Sequence, residues 1–306
     1  MIIEEITFLE NSSDFLPGFD YTFGMQIIRA DVLGFCFGVR RAVEYALKAL
    51  EENTDKKVYS LGPLIHNEIV LQNLKDKGLI ILSEDALESV TPESVVIIRA
   101  HGVSPDVLKR LEDKNCTIIN ATCPRVNANQ KMVEKNSSQG RTIILTGDSN
   151  HGEVKGIAGY AKGKFILLQS EEDAEKLPED NGEAVLLSQT TFSPVQFEKI
   201  AKTVGEKYKN LKISNTICPA TKERQDSLIE LCSKVEGVLV IGGKNSANTI
   251  RLFQSAAKNC PKAAHIQSAD DIPEEFFLLK KIGITAGAST PDQIIEEVEK
   301  RLLAAK

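Results

Sequence analysis

Three of the six cysteines occupy loops of one kind. Cys36 lies in GFCFGV, Cys123 in NATCPRV and Cys218 in NTICPAT, each after a strand-like run and before a helical one. The last two are followed by proline, which suits the first helical position. A thiol at a helix N-terminus feels the partial positive charge there, which favours the thiolate that ligates metals. Free cysteine is also a common core residue, so any one of these alone would read as packing. Cys116, Cys232 and Cys260 receive that reading: the first opens a strand, the second lies in a helix and the third precedes a strand. Three equivalent thiols without CxxC spacing do not suit a structural zinc site, which closes with four protein ligands. An iron–sulfur cluster held by three thiolates would keep one iron open to an outside ligand.

Polar loops recur with the cysteines. His66 in GPLIHNE follows Cys36 by thirty residues, and His101 in IRAHGVSP comes thirty-five later. His151 in TGDSNHGE follows Cys123 by twenty-eight, and Gln189, Thr190 and Thr191 stand in LLSQTTFSP. Ser246, Ala247 and Asn248 in GGKNSAN begin twenty-eight residues after Cys218, and Ser289 stands in TAGASTPD. Such a set is rich in donors and poor in permanent cations, which suits a small diphosphate, and Ser246 and Ser289 fall where helix N-termini would add backbone N–H groups. Ordinary N-capping explains either serine equally well. Glu153 is the acidic side chain of these loops expected to face the centre. Burial near an anion would raise its pKa and equip it as a general acid, although a first-turn glutamate favoured by the helix dipole explains its position as well.

The elements that must position these loops are short β-branched runs alternating with helical segments, the pattern of α/β units with parallel sheets. QIIRAD after Met25, VVIIRA (95–100), TIIN (117–120), TIILTG (142–147), FILL (165–168), AVLLSQ (184–189), GVLVIG (237–242) and KIGITAG (281–287) read as strands. Residues 38–51 read as a helix with an apolar stripe from Val39 to Leu50. Loops from three units converge only if the carboxyl ends of their strands face one centre. The expectation is three pseudo-repeated α/β domains, 25–121, 122–216 and 217–306, around one pocket. Residues 1–24 read as an appendage outside the core, with Met25 as a candidate start.

Composition narrows the function. The 306 residues are 42% hydrophobic and 26% charged, the balance of a globular protein. A net charge of −6 without a basic stripe argues against a nucleic-acid partner. No apolar run suits a membrane span and the acidic start lacks the basic region of a secretory signal, so a cytoplasmic protein with reduced thiols is expected. The GxGxxG and GxxxxGK(S/T) phosphate motifs are absent, with GGKNS a near miss. His151 and Glu153 match the HxE of zinc deaminases, but the PCxxC partner is missing. Two rivals remain: a zinc hydrolase built on His66, His101, His151 and Glu153, and a non-catalytic diphosphate sensor that uses the cluster to report redox state.

Taken in order, GFCFGV, GPLIHN, AHGVS, ATCP, TGDSNHGEV, SQTT, the C-x-A-T-x-x-R-Q run at Cys218, GGKNSAN and TAGASTPD resemble the 4-hydroxy-3-methylbut-2-enyl diphosphate reductase family over residues 34–292. That family catalyses the last step of the methylerythritol phosphate route to isoprenoids. The resemblance implies a trefoil of three pseudo-repeated α/β domains around a central iron–sulfur cluster and substrate pocket, with a 4Fe-4S cluster on Cys36, Cys123 and Cys218 and one open iron. It implies an allylic diphosphate substrate held by His66, His101, Ser246, Asn248 and Ser289, with His151 and Gln189 completing the polar shell. Glu153 and Thr190 would deliver protons, and a ferredoxin or flavodoxin would supply electrons for conversion to isopentenyl and dimethylallyl diphosphates. Asp148 and Ser149 replace more basic residues of the pattern, and Ala247 stands where serine is frequent. Residues 1–24 have no counterpart.

Overall fold

The computed structural model describes residues 25–304, so the 1–24 segment lies outside the described residues. The chain runs β1 (Gln26–Arg29), α1 (Phe37–Glu52), β2 (Val58–Leu61), α2 (Glu68–Asp76), β3 (Leu79–Leu82), β4 (Val95–Ile98), α3 (Pro105–Glu112) and β5 (Thr117–Asn120). It continues with α4 (Pro124–Ser138), β6 (Thr142–Thr146), α5 (Gly152–Ala158), β7 (Phe165–Leu168), α6 (Glu171–Glu175), β8 (Asp180–Ser188), α7 (Pro194–Lys207) and β9 (Tyr208–Ile213). The last stretch is α8 (Pro219–Cys232), β10 (Gly237–Ile241), α9 (Ala247–Asn259), β11 (Ala263–Ile266), β12 (Lys281–Ala286) and α10 (Asp292–Leu303).

Three four-stranded sheets result, ordered β3-β2-β4-β5, β7-β6-β8-β9 and β1-β12-β10-β11, and every pairing is parallel. Read from the opposite edge, the third order is β11-β10-β12-β1, the same winding with β1 in the fourth place. The first strand therefore completes the last sheet, pairing Ile27 with Ile282 and Ile28 with Gly283. Residues 25–121 had been expected to form one unit. The sheet pairing instead separates β1 from the rest of that span and makes the threefold plan a closed ring.

Hydrophobic burial fixes each layer. Central strands are covered on both faces by their crossover helices, so Val95, Val96, Ile97 and Ile98 are all buried, as parallel strands in α/β units require. Full burial of each such side chain contributes about 1.5–3 kcal/mol. Helix α1 lays Ala42, Ala46 and Ala49 against Val58, Leu79 and Val95, and these small residues bring the helix close to the first sheet. It thus bridges two units: its approach strand lies in the third sheet and its apolar face on the first.

Candidate active site

The ring closure places the three cysteines. Each follows the fourth strand of a sheet and stands as N-cap of the helix that opens the next unit: Cys36 before α1, Cys123 before α4, Cys218 before α8. Each is pinned the same way, its backbone N–H donating to the carbonyl in the loop after the third strand of that sheet. The acceptors are Ala288 for Cys36 at 3.1 Å, Ala100 for Cys123 at 2.9 Å and Thr190 for Cys218 at 2.8 Å. Inter-unit bonds tighten the set, with Arg41 donating to the Thr122 carbonyl and Arg224 to that of Gly34 at 2.6 Å. Gly38 is required by close approach, since a Cβ there would lie 2.5 Å from the Cys123 sulfur.

All three thiols line one cavity, together with His66, His101, His151, Glu153, Thr190, Thr191, Ser246, Ala247, Asn248 and Ser289. Gln189 is the exception among the expected site residues. It is fully buried in the wall, its Oε1 accepting from the Asp148 N–H at 2.9 Å and its Nε2 donating to Thr191 Oγ1 at 2.8 Å.

The sulfur end differs electrostatically from the sequence expectation. Burial pushes the thiols of Cys123 and Cys218 above the ordinary cysteine range, although the backbone N–H groups of Arg125 and Val126, and of Ala220 and Thr221, pull the other way. Desolvation outweighs the helix N-terminus here, so a metal group must displace protons to bind. The fully enclosed Arg224 guanidinium, with Cys36 and Cys218 as its nearest potential anions, provides compensating charge. Among the described residues, the only group of three or more His, Cys, Asp or Glu whose ligand atoms all lie within 4.8 Å of one another is His66, His101 and His151. The three thiols are thus spread too widely for one ion, and the donor set fits a multi-iron cluster.

At the polar end the imidazoles form a compact triangle, with ring centroids 4.6, 5.0 and 5.5 Å apart. Burial drives all three towards the neutral form: His66 is lowered, His101 lies well below the usual histidine range and His151 falls to about 4. The Arg99 guanidinium adds to the effect on each. Ser246 caps α9 and lies 3.4 Å from Ser289 Oγ, which donates to the His66 carbonyl at 3.0 Å. Asn248 is buried and its Nδ2 has no partner, leaving a desolvated donor at the cavity wall.

Glu153, only 1% exposed, lines the same cavity from the first turn of α5. Thr190 donates its N–H to Glu153 Oε1 and its hydroxyl to Oε2, both at 2.7 Å. Burial nonetheless outweighs these bonds and pushes the carboxyl up to about 7. A carboxylic acid poised near neutrality suits proton transfer.

Sequence reasoning missed the two guanidiniums nearest this end, Arg99 and Arg251. Arg99 pairs with Glu84 at 2.8 Å and lies against Gly152, while Arg251 reaches Asp148 from α9 at 2.8 Å. Each is a lone cation in its stretch of sequence. Only the i+4 spacing of Arg251 from Ala247 signalled that it shares a helix face with the polar loop.

Fold and cavity together define a class: a closed ring of three α/β units presenting three thiols and a set of imidazole, hydroxyl and amide side chains to one central cavity. The LytB protein family model matches residues 27–303, and the chain belongs to that family. A relative from Treponema denticola named 4-hydroxy-3-methylbut-2-enyl diphosphate reductase is 48% identical over 288 residues, covering 91% of this chain and 99% of the relative. One of the same name from Caldanaerobacter subterraneus is 42% identical over 285 residues, covering 92% and 98%. Two solved structures agree in fold. A (E)-4-hydroxy-3-methyl-but-2-enyl diphosphate reductase described as the terminal enzyme of the non-mevalonate pathway is 38% identical with a TM-score of 0.68, covering 92% of this chain and 99% of that one. The reductase from Plasmodium falciparum is 29% identical with a TM-score of 0.83, covering 90% and 86%.

Proposed function

We propose that the chain reduces 4-hydroxy-3-methylbut-2-enyl diphosphate to isopentenyl and dimethylallyl diphosphates, the terminal step of the methylerythritol phosphate route. The reaction breaks one C–O bond, takes up two electrons and two protons and releases water. The observation that carries this reading is one cavity lined by three thiols, the buried Glu153 with its carboxyl pushed up to about 7, and a donor set of imidazoles, hydroxyls and an amide. Cys36, Cys123 and Cys218 would hold a 4Fe-4S cluster with one open iron, and when bound it supplies electrons singly and a Lewis acid. Ferredoxin or flavodoxin is the proposed donor, in the cytoplasm, where all six free thiols are at home.

The protein's own groups do the rest. Ser246, Asn248, Ser289, His66 and His101 bind the diphosphate, and the first N–H groups of α9 add their dipole. His151 caps α5 by accepting from the Glu153 N–H at 3.2 Å, which fixes the start of the helix bearing the acid. With its carboxyl protonated, Glu153 donates to the Thr190 hydroxyl, 2.7 Å away, which releases its own proton to the substrate as it takes up the one from Glu153. Division into units 25–121, 122–216 and 217–306, with β1 lent to the third, gives each unit one share of the site.

One observation favours a second reading. The imidazole triangle has the compactness of a mononuclear metal site, as a zinc hydrolase would need. Protein purified without oxygen and assayed with a chemical reductant separates the two. The reductase reading expects iron, sulfide and both isoprenyl diphosphates, whereas bound zinc with no reduction product contradicts it.

A further inference from the structure

A second cavity abuts the polar end of the first. It shares His66, His151 and Ala247 with the central cavity and is also lined by Asp148, Asn245 and Arg251. The polar end of the central cavity is short of charge: the guanidiniums that line the cavity, Arg125 and Arg224, act on the thiols, burial pushes the imidazoles towards the neutral form, and the other groups there are hydroxyls and an amide. A diphosphate stripped of water there needs a cation. Arg99 borders neither cavity, standing behind Gly62 and Gly152, whereas Arg251 faces the second.

Arg251 is also only half used. Its Nη2 donates to both Asp148 oxygens at 2.8 Å, while Nη1 is buried without a partner and the guanidinium lies over the Phe192 ring, 5.3 Å from its centre. The side chain is 13% exposed, so an unsatisfied N–H pair is held out of water at a cavity wall. A phosphate oxygen would satisfy it with a charge-assisted bond once the guanidinium turns from Asp148 into the cavity. Asp148 is 44% exposed, so once Arg251 is taken by an anion its carboxylate turns to solvent without a burial cost.

We infer that the second cavity is the port through which the anionic end of the substrate enters, and that Arg251 binds the diphosphate there with Asp148 as its resting counter-ion. The inference rests on the reductase reading. The test is calorimetric binding of inorganic diphosphate to anaerobic, iron-loaded protein. Arg251→Gln should weaken binding about tenfold or more at low salt, the size of one charge-assisted hydrogen bond, and the deficit should shrink as salt rises. Arg251→Lys should recover part of the loss, and Asp148→Asn should bind at least as tightly as wild type. If Arg251→Gln does not fold, these two variants decide. Wild-type affinity in Arg251→Gln overturns the inference alone. Wild-type protein that binds no diphosphate overturns this inference together with the reductase reading.

Discussion

The sulfur end and the polar end of the cavity arise from one threefold plan, yet only the sulfur end keeps the symmetry. Each thiol is an N-cap, each is fixed by a backbone bond to the loop after the third strand, and each precedes the opening helix of the next unit. At the polar end the first unit gives two imidazoles, the second gives His151, Glu153 and Thr190, and the third gives Ser246, Asn248 and Ser289. Backbone geometry can hold three equivalent ligands. Binding an anion and moving a proton in one cavity needs unlike side chains, so the repeats diverge there.

The symmetric end should break most completely. Gly38→Ala places a Cβ 2.5 Å from the Cys123 sulfur, and iron and sulfide loading, with all activity, should be lost. The same clash is met without a cluster, so the variant should melt below cluster-free wild type while keeping its helical far-UV spectrum, a combination that misfolding does not give. At the polar end Glu153→Gln should lower kcat by about 10² to 10⁴ with KM little changed and the cluster spectrum intact. A smaller effect belongs to Asn248→Ala, which removes a donor that has no partner without substrate. KM should rise about tenfold while thermal stability holds or improves, because no satisfied bond is lost.

The smallest expected effect is on stability against pH. The Glu153 carboxyl rises to about 7 on folding from an ordinary value near 4.5. Between those values the folded state retains a proton that the unfolded state has released, so its contribution to stability is full below pH 4.5, declines as pH rises and levels off above 7. His151 acts in the opposite direction: with its folded value about 4, stability falls as pH drops below 6.5 and the unfolded imidazole takes up a proton. In chemical denaturation of cluster-free protein, Glu153→Gln should gain on wild type as pH rises from 5 to 8. A difference that does not change with pH would contradict the buried-acid assignment.

Local chemistry carried much of this into the sequence. TIIN and FILL predict β5 and β7 to the residue, and the 38–51 stripe predicts α1 to within a residue at either end. Strand β9, YKNLKI, escaped because it is an edge strand with mostly exposed, polar positions. The place of β1 in the third sheet depends on pairing across about 250 residues, which no local periodicity encodes. Within the site, loop position located Gln189 correctly but not its side chain, which turns into the wall to hold Asp148 and Thr191. The thiols of Cys123 and Cys218 are pushed up because the depth of burial, which the sequence does not display, outweighs the helix terminus, which it does.

The central claim is that Cys36, Cys123 and Cys218 together hold one iron–sulfur cluster. Iron and acid-labile sulfide in the six single Cys→Ser variants, purified without oxygen, test it most directly. Loss of both in Cys36→Ser, Cys123→Ser and Cys218→Ser, with wild-type content in Cys116→Ser, Cys232→Ser and Cys260→Ser, is the predicted result. Full iron and sulfide in Cys123→Ser would contradict it.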